Sequence, residues 1–134
     1  MELERAFAMK ISRGLIVAAE EDTAFDISRL MKKHNIGAVI IVRGEDLVGI
    51  ISERDVVRRV VTEKLDPLTV RAKDIMTRDV ATGNLNDGLD RIYELLCSAP
   101  FRHLPIMEGN KLVGIVSKRD VLYSVRPKRS AQQQ

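Results

Sequence analysis

The chain has 134 residues and a mass of 15.1 kDa, one domain's worth of sequence. It is 45% hydrophobic and 31% charged, which excludes a disordered chain and predicts a folded core. With 22 Lys and Arg against 19 Asp and Glu, the net charge of +3 is too balanced for an evident nucleic-acid protein, although the pI is near 9.2.

Three Phe, two Tyr and no Trp leave an aliphatic core of Val, Ile, Leu and Met. The single cysteine, Cys97, excludes an internal disulfide and a Cys-rich zinc site; on its apolar helix it is expected to pack as a small hydrophobe. His34 and His103 have no metal-ligand spacing, so no metal is expected. The longest apolar run, 36–42, is far too short to span a membrane, and Met1-Glu2-Leu3-Glu4-Arg5 lacks the order of a signal peptide. A cytoplasmic protein is the expectation.

In chain order, Leu15-Ile16-Val17 reads as a short strand, and Asp22 as the N-cap of a helix with Ala24, Ile27, Leu30 and Met31 on one face. Ala38 to Val42 reads as a buried strand, Arg43-Gly44-Glu45-Asp46 as a turn, and Leu47 to Ile51 as the returning strand. A helix carrying Val56, Val57, Val60 and Val61 starts near Ser52. The order then repeats: strand Val80-Ala81, helix face Leu89, Ile92, Leu95 and Leu96, strand Leu104 to Met107, turn Glu108-Gly109-Asn110-Lys111, strand Leu112 to Val116.

The repetition is literal. Leu47-Val48-Gly49-Ile50-Ile51-Ser52-Glu53-Arg54-Asp55-Val56 returns 65 residues later as Leu112-Val113-Gly114-Ile115-Val116-Ser117-Lys118-Arg119-Asp120-Val121, identical at eight of ten positions. The same offset pairs Asp22 with Asp87, Ile27 with Ile92, Ile41 with Ile106 and Gly44 with Gly109. The fold class expected is α+β: tandem β-α-β-β-α repeats packed sheet to sheet about a pseudo-twofold axis, because one such unit is too small to bury an adequate core alone. Repeat 1 covers 10–62, a connector 63–73, repeat 2 74–126, and a flexible basic and polar tail 127–134.

In both repeats Gly-apolar-apolar-Ser-x-Arg-Asp runs from a strand into a helix start, where unpaired N–H groups and the helix dipole favour an anion. Ser52 and Ser117 offer hydroxyls, Arg54 and Arg119 charge, and Asp55 and Asp120 paired acceptor oxygens suited to ribose hydroxyls. Spacing alone favours a plainer reading, a capping box in which Ser caps the helix and the acid reaches back to the Ser N–H. The entrance of the preceding strand discriminates. The second repeat has Phe101-Arg102-His103-Leu104-Pro105 there, and the first has Ile36-Gly37-Ala38-Val39-Ile40. A cation entering a buried strand needs a partner, so the second repeat favours an anion more strongly.

These residues, with Asp74-Ile75-Met76-Thr77 opening the second half, resemble the cystathionine-β-synthase domain pair, or Bateman module, over roughly 10–125. The resemblance implies a regulatory sensor of adenosyl ligands, bound in clefts between the repeats, that often forms disc-like dimers. It makes Asp55 and Asp120 ribose acceptors and Ser52 and Ser117 phosphate contacts. Arg102, His103, Lys118 and Arg119 become polar or cationic phosphate contacts of the second pocket, with Arg54 in the first. Val80, Ala81, Thr82, Leu104 and Pro105 would line the adenine in the second pocket, and Ile16, Val17, Gly37, Ala38 and Val39 its counterpart. AMP is the leading ligand, with ADP or ATP next; the cations disfavour the sulfonium of S-adenosylmethionine. No cofactor is required. The expected partners are an adenine nucleotide, a second copy of the chain and an unknown regulated protein, without membrane or nucleic acid.

An enzyme is not expected, because no acid, base and nucleophile converge. The alternatives are a ligand-free structural dimerisation module and a basic nucleic-acid-binding accessory protein. The latter rests on Arg126-Pro127-Lys128-Arg129 and scattered basic pairs, without an aromatic stacking platform.

Overall fold

The computed structural model describes residues 15–98 and 102–119. Ile16–Val80 forms one compact unit, and the described residues from Ala81 onward belong to a second. In the first, β1 (Val17–Ala19) leads through α1 (Ala24–His34) to the antiparallel pair β2 (Ala38–Arg43) and β3 (Asp46–Ser52). β1 runs parallel to β2, which places β2 at the centre of a three-stranded sheet. Ser52 opens α2 (Glu53–Val56), which runs on as a π-helical turn, Val57–Val61; α3 (Ala72–Ile75) follows. The second unit has β4 (Gly83–Asn84), α4 (Leu89–Cys97), β5 (His103–Glu108) and β6 (Lys111–Ser117), with β5 central.

The sequence offset is reproduced in the strand register. Ala38 lies opposite Ser52 and Ile41 opposite Gly49; His103 lies opposite Ser117 and Ile106 opposite Gly114. Even the irregularity recurs, between Ile41 and Val42 and again between Ile106 and Met107. Gly44 and Gly109 both turn the hairpin with φ of 63°, a left-handed conformation that a side chain would strain.

The cores are duplicated too. Ile92, Leu96, Leu104, Ile106 and Val116 form the second cluster, and they stand 65 residues after Ile27, Met31, Val39, Ile41 and Ile51 of the first, in that order. Burying each such side chain is worth about 1.5–3 kcal/mol. The helix faces expected from periodicity are found, with Ala24, Ile27 and Met31 buried and Leu30 packed beside them.

Three expectations are corrected. The first concerns the α1 cap, which is Thr23: its hydroxyl accepts from the Asp26 N–H at 3.1 Å and Asp26 accepts from the Thr23 N–H at 3.1 Å. Asp22 instead accepts from the Ala19 N–H at 2.9 Å, and Asp87 accepts from the Asn84 N–H at 2.9 Å, so the repeated acid staples the strand-to-helix turn in each unit. The second concerns the leading strands, which lie two residues further on than Leu15-Ile16-Val17 and three further on than Val80-Ala81. At Gly83, a Cβ would come within 2.6 Å of Ile92 Cδ1 and 3.0 Å of Leu104 Cδ2; Ala18 holds the matching buried position in the first unit. Small residues are needed where the helix crosses the strand, and they hide the strand in the sequence. The third concerns Cys97, which is exposed.

Residues 62–76 are built into the first unit. The Ala24 N–H donates to the Val70 carbonyl at 2.9 Å, the Phe25 N–H to Pro67 at 2.9 Å, and the Ala72 N–H to Asp22 at 2.7 Å. Ala72, Ile75 and Met76 complete its core, and Thr77 exchanges both main-chain hydrogen bonds with Ile50, at 3.0 and 3.1 Å.

Candidate functional site

The sheet register gathers the residues named for the second repeat. His103 and Ser117 stand opposite each other at one end of the β5–β6 pair, and the Lys118 N–H donates to the Arg102 carbonyl at 2.8 Å. Arg102 and Arg119 are exposed there, while His103, Ser117 and Lys118 are half-buried. Three permanent cations thus share one strand end with a hydroxyl and an imidazole. Asp120 lies outside the described residues, as does the tail 127–134.

The first unit places its counterparts on the same scaffold. Ala38 faces Ser52, and the Glu53 N–H donates to the Gly37 carbonyl at 3.0 Å. The main-chain bond is the same, but Gly37, Ala38 and Glu53 stand where the second unit has Arg102, His103 and Lys118. Glu53 offsets the charge of Arg54, so this pair adds no net charge to the strand end.

The Ser52-x-x-Asp55 segment forms a complete capping box. The Asp55 N–H donates to Ser52 Oγ at 3.2 Å, and Asp55 Oδ2 accepts from the Ser52 N–H at 2.8 Å. The other oxygen, Oδ1, lies 3.8 Å from Arg59 Nε, and Arg59 Nη1 donates to the Ile75 carbonyl at 2.7 Å. Capping and ligand binding are not exclusive for Ser52, because a hydroxyl that accepts one bond still carries a proton to donate. Asp55 likewise keeps acceptor capacity, since each carboxylate oxygen has two lone pairs and Arg59 Nε, at 3.8 Å, stands beyond hydrogen-bond distance of Oδ1. Arg59 carries no signal at the sequence level: its importance depends on the π-helical turn and on the Ile75 carbonyl, 16 residues away.

The apolar candidates separate by burial. Val39 and Leu104 are fully buried members of the two cores, and Ala38 and Pro105 are also buried. The Val39 and Leu104 side chains therefore serve the core, leaving main chain as the part of those residues that can meet a ligand. Ile16 and Val80 are half-buried, whereas Val17, Ala81 and Thr82 are exposed. Gly49 is accounted for within its own unit: a Cβ there would collide with Met76 Sδ and come within 2.7 Å of Met76 Cγ. Its close approach is to this methionine, a partner the sequence does not suggest. A groove of about 520 Å³ is lined by Ser28, Lys32, Asn35, Gly37, Glu53 and Val56, among others, and Gly37 is the candidate residue that reaches it.

Among the described residues, no three His, Cys, Asp or Glu side chains are grouped to hold a metal. No described helix is long and apolar enough to cross a membrane. Cys97 sits one turn from Tyr93, whose phenol it holds above its ordinary range through a side-chain hydrogen bond.

A CBS-domain family model matches residues 8–62 and 72–126, and the chain belongs to this family as a tandem pair. The tandem α+β fold expected from the repeat is the fold found. A CBS-domain protein structure from Burkholderia ambifaria MC40-6 is 34% identical, with a TM-score of 0.82, over 91% of this chain and 87% of that one. The uncharacterized protein MK0525 of Methanopyrus kandleri is 38% identical over 82% of this chain, which spans 57% of that protein's length. A hexameric CBS-CP12 protein from bloom-forming cyanobacteria is 26% identical, with a TM-score of 0.76, over 84% of this chain and 67% of that one. CBS-domain pairs are regulatory modules in many proteins.

Proposed function

We propose that the chain is a non-catalytic regulatory module that binds an adenine nucleotide, AMP foremost, and signals its presence to a partner protein. The observation that carries this reading is the contrast between matched strand ends: the same backbone bears neutral Gly37, Ala38 and the Glu53–Arg54 pair in one unit, and Arg102, His103, Lys118 and Arg119 in the other. A purely structural cap needs no such charge. In this reading Ser117, Lys118, Arg102 and Arg119 hold phosphate, with His103 as a further polar contact, and Asp120 accepts the ribose hydroxyls. Main chain at the start of β5 contacts the base, because Leu104 is committed to the core.

Self-association belongs to the same proposal. It is supported by the hexameric assembly of the cyanobacterial relative and by apolar side chains left exposed at Val57, Val61, Leu65 and Leu68.

Calorimetric titration of AMP tests the ligand. Asp120→Asn is expected to weaken binding about 10- to 100-fold, the loss of one to two charge-assisted hydrogen bonds. An unchanged affinity with a lowered melting temperature would return Asp120 to a capping role. Native mass spectrometry of the purified protein reads retained nucleotide and subunit number together.

A further inference from the structure

We infer that Pro105 is a positioning residue that sets base specificity: having no N–H to give to the strand beside it, it leaves the Ala81 carbonyl to accept from the exocyclic amine of a 6-aminopurine. The inference rests on the nucleotide reading above and deepens it.

The two sheets differ at this point. Ile50 gives both its main-chain groups to Thr77, so its pair with Ile40 across β2 and β3 is of the non-hydrogen-bonded kind. The main-chain groups of Ile40 therefore point the other way, to β1, where the Val17–Ile40 pairing aims the Ile40 N–H at the Ile16 carbonyl. In the second unit the Lys118 N–H donates to the Arg102 carbonyl and the Leu85 N–H to the Met107 carbonyl, both at 2.8 Å, so the same alternation turns residue 105 toward β4. Residue 105 stands 65 positions after Ile40, and it is a proline. The parallel ladder accordingly begins one pair later, at Gly83–Ile106, where the first unit begins it at Val17–Ile40. Ala81 stands 65 positions after Ile16. It is exposed, and among the described residues no main-chain N–H donates to its carbonyl.

A carbonyl accepts and cannot donate. It suits the amine at position 6 of adenine and repels the oxygen that a 6-oxopurine carries there. Pro105 is three residues from Arg102 along extended chain, about 10 Å, so base and phosphate contacts stand a nucleotide's length apart. In the first unit the matching Ile16 carbonyl is already taken by its own sheet.

Calorimetry on the full chain with AMP and inosine monophosphate, which differ at position 6 and the adjoining N1 proton, tests the inference. Wild type is expected to prefer AMP by about tenfold or more. Pro105→Ala restores an N–H, and Pro105→Ile, which copies Ile40, does the same should the first variant fail to fold. In either, AMP affinity is expected to fall about tenfold while that for inosine monophosphate stays within about twofold. The new amide at position 105 is expected to be protected from hydrogen exchange without ligand. A merely structural role for Pro105 would lower both affinities together. Equal affinity of wild type for the two nucleotides, a parallel loss of both in a folded variant, or a freely exchanging amide at 105 overturns the inference alone. No AMP on wild type overturns the nucleotide reading itself, and this inference with it.

Discussion

His103 faces Ser117 across β5 and β6 in the register that Ala38 and Ser52 keep across β2 and β3. The backbone of the two strand ends is thus a constant, and their chemistry varies only through side chains. That makes the pair a comparison within one molecule, in which the contribution of the strand-end side chains to ligand affinity is tested by exchanging them.

The most direct prediction exchanges those side chains. The triple variant Arg102→Gly, His103→Ala, Lys118→Glu gives the second repeat the residues of the first. AMP affinity is expected to fall by about 100-fold or more, since charge-assisted phosphate contacts are removed and an anion is added. The replaced groups are exposed or half-buried, so the melting temperature is expected to move by only a few degrees, about the shift of a 1 kcal/mol change. Undiminished affinity, measured by calorimetry, would exclude this strand end as an anion site.

Gly49→Ala is expected to destabilise the protein by about 1–3 kcal/mol, because the new methyl group meets the side chain of Met76, a member of a filled core. Shortening the neighbour should relieve the clash: in a Met76→Ala background the same change is expected to cost much less. Urea denaturation of the four proteins gives the coupling. Additive effects would mean that the two residues do not touch.

Removing the α1 cap with Thr23→Ala is expected to cost about 0.5–2 kcal/mol, and Asp22→Ala to act instead on the turn between β1 and α1. Amide hydrogen exchange separates them. Loss of protection at Asp26 is expected for the first variant, and at Ala19 for the second.

Acid should weaken the first unit through two carboxylates. Glu20 is held below its ordinary 4.5 by the hydrogen bonds of Arg43, at 2.8 and 2.9 Å, and Asp26 below its ordinary 3.8 by the Thr23 N–H. A folded-state pKa below the unfolded value adds stability that is complete above the unfolded pKa and disappears as pH falls through the folded one. The melting temperature is therefore expected to drop below about pH 4.5, less steeply in Glu20→Gln. Both acids lie at the surface, so the change is modest; identical slopes in the two proteins would refute the assignment.

The duplication makes most of the fold legible. An offset read from Leu47–Val56 and Leu112–Val121 carries over unchanged to strand pairing, to the hairpin glycines and to both cores. Legibility fails where local signals are weak or ambiguous. Ala18 and Gly83 have little strand propensity, so their more apolar neighbours draw the strand reading toward themselves and away from β1 and β4. Asp22 and Thr23 are both good caps, and only Thr23 has an acid three residues on to complete the box. Of the candidate site, the cationic cluster is legible because its residues are near in sequence to strand ends. Arg59 and Met76 are not, since each acquires its role from a tertiary partner.

The strap of residues 62–76 has a consequence for dissection of the molecule. Its carbonyls at Pro67 and Val70 receive the Phe25 and Ala24 amides, and its side chains close the floor under β3. A fragment stopping at Thr62 would strip helix α1 of two acceptors and uncover Gly49, so expression trials of an isolated half should extend to Val80. The sequence repeat and the compact unit end at different places along this polypeptide.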